Sequence, residues 1–392
     1  MKGDRLSRSL ALVLSVSIIT SGCATNPRVQ EKRTRIVTQT AQLLRVPGKI
    51  YVKDNILFVN ELAEGVHIID NTNPSQPELI GFIVIPGNVD IAIRENVLYA
   101  DSQNDLIVID ITDPTNASEI TRIEDMFPEE TEMPLIGKII LGIVLFPFLL
   151  LALGGSSEEP SGGGETSSTG EGGSLARFAI VGDYLYILSG SALQLIDITQ
   201  PSEPLVWKKI GVGWDIETVF PYEDNLFIGG RNGMYIFDNT DPADPKRISE
   251  FLHLTSCDPV VVEGDTAYVT LRAGTNCGGR ANLLDIIDIS IIFDPKLLAE
   301  YPMREPYGLG VEGDSLFICD GAAGLKLYDV SDPHDLRLTD TYTGVYPQDV
   351  ILTDKSVVVI GNDGLYQFSF QSRGKIELLS KIPVNDNTRN TP

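Results

Sequence analysis

Short apolar runs alternate with polar turns along most of this chain, and the alternation repeats. In GVHIIDNTNPSQPELIG (65–81) an apolar run ends in Asp, crosses Asn, Thr and Pro, and turns apolar again. The same unit returns as DLIVIDITDPTNASEIT (105–121), ALQLIDITQPSEPLVWK (192–208), GMYIFDNTDPADPKRIS (233–249), LLDIIDISIIFDPKLLA (283–299) and GLKLYDVSDPHDLRLTD (324–340), and in eroded form as GLYQFSFQSRGKIELLS (364–380). Six units carry an Asp at the same place, Asp70, Asp110, Asp197, Asp238, Asp288 and Asp329; the seventh has Ser369. These positions are 40, 87, 41, 50, 41 and 40 residues apart, so one interval holds an insert and another a longer loop.

A period near forty, made of short apolar runs between turn residues, predicts four strands per unit and one propeller blade per unit. The second unit parses as VDIAIRE (89–95), VLYADS (97–102), DLIVIDI (105–111) and SEITRIE (118–124). These runs are rich in β-branched and aromatic residues, and Gly, Asn, Asp and Pro separate them. Helical repeats of this length would need long amphipathic windows free of Pro, which the TNP and TDP turns forbid. The expected fold is all-β: a seven-bladed β-propeller of four-stranded antiparallel blades over 36–385, with one hydrophobic, helical insert between blades two and three. The repetition has a physical reason, because a lone four-stranded sheet cannot bury both faces and stacked neighbours cover each other. The recurrent Asp is expected to bond the amides of the turn that follows it, a structural role.

The motifs LIVIDITDP (106–114) and LQLIDITQPSEP (193–204) resemble the LVIVD repeat of bacterial β-propellers, and the likeness covers roughly 46–383. The resemblance implies the propeller fold and an extracytoplasmic, envelope-type location, with few assigned chemistries. For ring closure, TAQLLRVPGK (40–49) lines up with GFIVIPGN (81–88), which suggests an N-terminal outer strand for the last blade. That blade already owns IELLSKIPV (376–384), so either the two lie side by side or one displaces the other.

The insert spans 127–174. Its apolar segment 135–153 would be roughly 28 Å long as a helix, close to a hydrocarbon thickness of about 30 Å. Lys138 and Pro147 interrupt it, and a Gly/Ser/Glu-rich linker follows over 154–174. A true span would put blades one and two across a bilayer from blades three to seven and forbid a closed ring. The expectation is a re-entrant or interfacial segment, or a greasy loop docked on a partner; the alternative is a helix folded back on the ring.

At the N-terminus, Lys2, Arg5 and Arg8 precede an apolar stretch, LALVLSVSII (10–19), too short to span a membrane. Thr20, Ser21 and Gly22 then lead to Cys23. This resembles the lipobox of bacterial lipoproteins, with Thr20 where the pattern prefers Leu. The resemblance implies a signal peptide over 1–22, a lipid (palmitate among its chains) on Cys23, and a lipidated tether over 23–35. Ala24, where inner-membrane retention would place Asp, implies the outer membrane, facing periplasm or cell surface. The expected partners are the membrane, through the Cys23 lipid and the 135–153 segment, and other envelope proteins. The net charge of −24 argues against nucleic acid, whose phosphates need a basic surface.

Candidate chemistry is sparse. His67, His253 and His334 lie in no nucleophile or HExxH motif, and no phosphate-binding glycine loop is present. No catalytic residue and no cofactor are expected. The connections into the inner strands carry Asp90, Asp215, Asp258 and Asp349, and the second-to-third loops add Asp101 and Asp320; the fold would gather all six around one channel mouth. Such a ring can hold Ca²⁺ or receive a basic ligand, or it can bond the amides of neighbouring loops. Trp214, Arg272, Tyr307 and Tyr346 would neighbour it, a composition typical of binding hot spots. Cys257 and Cys277 flank the inner strands of blade five on that face, and an oxidising compartment would let them form a disulfide, leaving Cys319 buried beside Phe317. These features favour a binding or scaffold module. A metal-dependent hydrolase or lactonase-like enzyme and a structural adhesion protein are the alternatives.

Overall fold

The computed structural model describes residues 35–127, 171–253, 259–274, 281–370 and 374–385. Seven antiparallel blades of four consecutive strands follow one another in sequence order, one per repeat, and two short strands add to the edges of the first. Blade one comprises Pro47–Lys53, Ile56–Glu61, Gly65–Asp70 and Glu78–Val84. The inner strands of blades two to seven are Ile91–Arg94, Phe178–Val181, Ile216–Tyr222, Val260–Glu263, Leu309–Glu312 and Pro347–Leu352. Burial falls from the inside outward. The third strand of blade two, Asp105–Asp110, is buried along almost its whole length, whereas the outer strand of blade three, Leu205–Gly211, is mostly exposed. A third strand is covered on both faces by neighbouring blades, which is why its sequence is a continuous apolar run.

The repeated Asp closes the turn it precedes. Asp70, Asp110, Asp197, Asp238, Asp288 and Asp329 each accept, on Oδ1, the amide two residues on, at 2.8–3.0 Å. In each of these blades the amide just after the Asp bonds a carbonyl of the turn between the two inner strands, for example Ile111 N to Asn96 O at 2.8 Å. A β-bulge sits just before the Asp position in every blade, as between Val108 and Ile109. Bulges sharpen strand twist, and here they do so at one place in all seven sheets.

Ring closure differs from the sequence expectation. The N-terminal strand, Val37–Gln39, pairs with the outer strand of blade one itself, Val37 opposite Val84. Blade seven keeps its own outer strand, Glu377–Pro383. No strand is exchanged between the termini, and side-chain packing closes the seam: Leu44, Ile50 and Leu57 bury against Ile360, Leu365 and Ile382. Gln367 Nε2 bonds Asn71 Oδ1 across it, and Ser380 Oγ bonds the Pro74 carbonyl at 2.6 Å. An aligned outer strand was unnecessary because apolar burial of this extent already holds the two blades together.

Residues 171–174, which composition places in the linker, also belong to the ring. Glu171–Gly172 pairs antiparallel with the inner edge of blade one, Glu171 opposite Val52 and Gly172 opposite Tyr51. At the other end of the insert, Phe127 stacks on Phe178 with ring centroids 6.2 Å apart. Two faces follow from the antiparallel order. One, the loop face, carries the connections into each inner strand and the second-to-third loops. The other, the turn face, carries the first-to-second and third-to-fourth turns.

Candidate functional site

The loop face brings Asp90, Asp101 and Asp349 together around Lys49. Asp90 pairs with Lys49 Nζ and accepts the Arg177 amide at 2.6 Å. Asp101 Oδ1 accepts the amides of Val89 and Asp90 and the Asn88 side chain, at 2.8, 3.0 and 2.8 Å. Burial pushes the Asp101 carboxyl up to about 6 against those bonds. Asp349 lies inside its strand rather than before it. Its Oδ1 accepts the Val350 amide at 3.0 Å and faces Ser174 Oγ at 3.4 Å, while Oδ2 is buried without a hydrogen-bond partner among the described residues. Burial pushes it up to about 7. Gly173 and Gly308 press on its two oxygens so closely that a Cβ on either would fall inside van der Waals contact. Ser174 Oγ also accepts the Leu309 amide at 2.9 Å, so Asp349 fastens the strand returning from the insert to blades six and seven.

The other ring members stand apart. Asp320 accepts the amides of Arg304 and Glu305 at 2.9 and 2.7 Å and pairs with Lys326 at 2.5 Å. Asp215 is exposed and pairs with Arg231 at 2.9 Å. Asp258 lies outside the described residues, as do Cys257, Cys277, Cys23 and the apolar segment 135–153. The described carboxylates of the ring thus bond loop amides, lysines or an arginine. Among the described residues no group of three or more His, Cys, Asp or Glu side chains is placed to hold a metal ion. Nor is any helix among them long and apolar enough to cross a membrane.

The three histidines are scattered. His67 Nε2 meets Glu61 Oε2 at 2.8 Å in a buried pair, and its ring lies 4.7 Å from that of Phe82. Burial raises the Glu61 carboxyl, but bonds from His67 and from the Arg45 and Val46 amides together hold it below its ordinary value. The pair therefore ties the chain around Leu44 to blade one. His253 acts on Asp285, a carboxyl that burial pushes up to about 6. His334 is exposed in its turn. Cys319 is buried in one cluster with Phe317, and burial raises its thiol well above the ordinary range.

An arc of aromatic and arginine side chains crosses the loop face over blades four to seven. Trp214 is 75% exposed. The Arg272 guanidinium lies 4.1 Å above the Tyr307 ring, and the Tyr307 hydroxyl reaches Tyr346 at 3.2 Å and Glu305 at 3.1 Å. Burial, then hydrogen bonds to Glu305 and Tyr307, raise the Tyr346 phenol. Beside them Glu217 is raised by burial while Arg231, Arg272 and Arg177, from three blades, act against the rise. Sequence reasoning missed Glu217, Arg177 and the Gly173–Ser174 contact, because nothing local marks them and most of their partners come from other blades.

Inside, the channel holds a cavity of about 390 Å³, bounded by Gly172–Ser174 and Ala176 and by the inner strands of six blades. The fold and this mouth define a seven-bladed β-propeller whose chain crosses its own channel. Comparison with known proteins agrees: the LVIVD repeat model matches residues 48–83, 87–125, 172–209 and 307–344, which are blades one, two, three and six. The chain carries LVIVD repeats in four of its seven blades. No curated protein matches it. Among solved structures it is similar to a functionally unknown protein from Desulfotomaculum acetoxidans (12% identity, 84% of this chain and 95% of that one, TM-score 0.56). It is similar also to the computationally designed Ika8 protein (9%, 88% and 90%, 0.54) and to Kluyveromyces lactis Hsv2 (12%, 86% and 98%, 0.52). At these identities the likeness concerns the fold alone.

Proposed function

We propose that this propeller is an envelope-anchored binding or scaffold module, without an enzymatic role, that recognises a protein or ligand on its loop face. The observation carrying the reading is the arc of Trp214, Arg272, Tyr307 and Tyr346: an exposed tryptophan beside half-buried tyrosine and arginine side chains on a rigid frame is what interfaces use as anchors. In this reading the ring aspartates hold loops in place, and the lipid on Cys23 keeps the face at a membrane, with the 135–153 segment as a second attachment. Crosslinked pull-down from intact envelopes tests it. Partners captured by the wild type should be lost with Trp214→Ala and Arg272→Ala and kept with the distant Trp207→Ala. Equal capture by all three removes the loop face from the reading. A calorimetric titration that gave heat with Ca²⁺ and none after Asp349→Asn would replace it with the metal-dependent enzyme. Membrane fractionation of Cys23→Ser, with and without 135–153, should show release only when both are gone.

A further inference from the structure

We infer that the channel is a second binding site, open to the turn face, that takes a small apolar organic cation such as an aliphatic amine. The inference concerns the end of the ring opposite the proposed recognition face and stands independently of that reading. The cavity of about 390 Å³ falls within the range of small-molecule pockets, about 300–1,000 Å³. Its walls are Phe178, Ile180, Val219, Val311, Val350 and Leu352. At the loop end the Gly173–Ala176 segment bounds it, and the Ser174 hydroxyl there is already engaged by Asp349 and the Leu309 amide. At the other end its lining reaches Tyr222 and Leu352, the last residues of two inner strands, so it arrives among the turns of the turn face.

Those turns supply the charge selection. Asp54, Glu95, Asp183, Glu223, Asp265 and Asp314, one from each of blades one to six, are all exposed around the mouth. The cations among them are Lys53, Arg94 and Lys355; Lys53 pairs with Asp54 at 2.6 Å, Arg94 with Asp183 at 2.8 Å, and Lys355 bonds Asn55. Negative charge is left in excess. At the closed end Asp349 Oδ2, buried and without a hydrogen-bond partner among the described residues, lies behind Gly173 of the lining, with the Lys49 charge acting on it. Apolar side chains along a channel with an acidic open mouth favour an apolar body carrying positive charge and disfavour a fatty anion of the same size.

Calorimetric titration of the full chain with octylammonium, octanoate and octanol tests this, since the three share one tail and differ in the charge of the head. Octylammonium should bind about tenfold more tightly than octanoate, and salt should narrow the gap. Glu223→Lys with Asp265→Lys, both at exposed turn positions, should abolish that preference. Leu352→Trp, which fills the lower channel, should cost about tenfold or more in affinity for the cation at an unchanged melting temperature; should it not fold, Val311→Phe serves the same purpose. Equal affinity for the three heads, an unaffected pocket-filling variant, or no saturable binding of the cation overturns the inference.

Discussion

Asp110 shows how much one residue of the repeat holds. Its Oδ1 accepts both the amide and the hydroxyl of Thr112, at 2.8 and 2.7 Å, and those bonds hold its carboxyl below the ordinary range. Asp110→Ala should cost about 1 kcal/mol in urea unfolding without changing the fold. Glu61 should matter more, because its partners are buried with it: Glu61→Gln should cost about 2–4 kcal/mol and loosen the chain before blade one, read as faster amide exchange at Arg45 and Val46. Because Glu61 is held below its ordinary value when folded, its contribution is complete at neutral pH and fades as pH falls through that lowered value. The sequence announced the first residue and concealed the second. An Asp bonding two positions ahead is local and recurs six times, whereas Glu61 gathers two amides some fifteen residues upstream and a ring nitrogen across a loop.

At the scale of elements, the return strand is the least expected part. Its composition, Glu-Gly-Gly-Ser, is that of a linker, and the glycines that make it look flexible are what let it lie against Asp349 and Tyr51. Gly173→Ala should therefore destabilise the ring by about 1–3 kcal/mol, since the added methyl meets a carboxyl with nowhere to move. Asp349→Ala in the same chain should recover much of that loss, a coupling that a double-mutant cycle in urea measures directly. Additive losses would mean that Gly173 is constrained by something else. Strand order and turn chemistry were legible from the alternation of apolar runs and Asp-Pro turns. The bulge repeated in all seven blades was not, because no single residue type marks it.

Across the whole molecule, the blade count was readable from the period, while closure was not: the seam depends on Leu44 and Ile50 meeting Ile360 and Leu365, some three hundred residues away. Burial also shapes the response to pH. Asp101 and Asp285 are raised to about 6 and Asp349 to about 7 from an ordinary 3.8, so the folded state binds protons more tightly than the unfolded one. Their effect on stability is neutral below 3.8 and increasingly unfavourable as pH climbs to about 7. Glu61, Asp70 and Asp110 are shifted the other way and lose their contribution in acid. The melting temperature should peak in mildly acidic buffer and decline toward pH 8, and Asp349→Asn should flatten the decline. Calorimetric scans from pH 3 to 8 check this; a melting temperature rising steadily to pH 8 would contradict it.

The short pairing of Glu171–Gly172 with blade one carries a consequence for covalent continuity. Blade three begins at the hub, stitched to a blade made more than a hundred residues earlier, so the two halves of the polypeptide grip each other without needing the peptide between them. A protease site placed at 160–165 and cut should leave two fragments that copurify and melt as one cooperative body, until urea separates them.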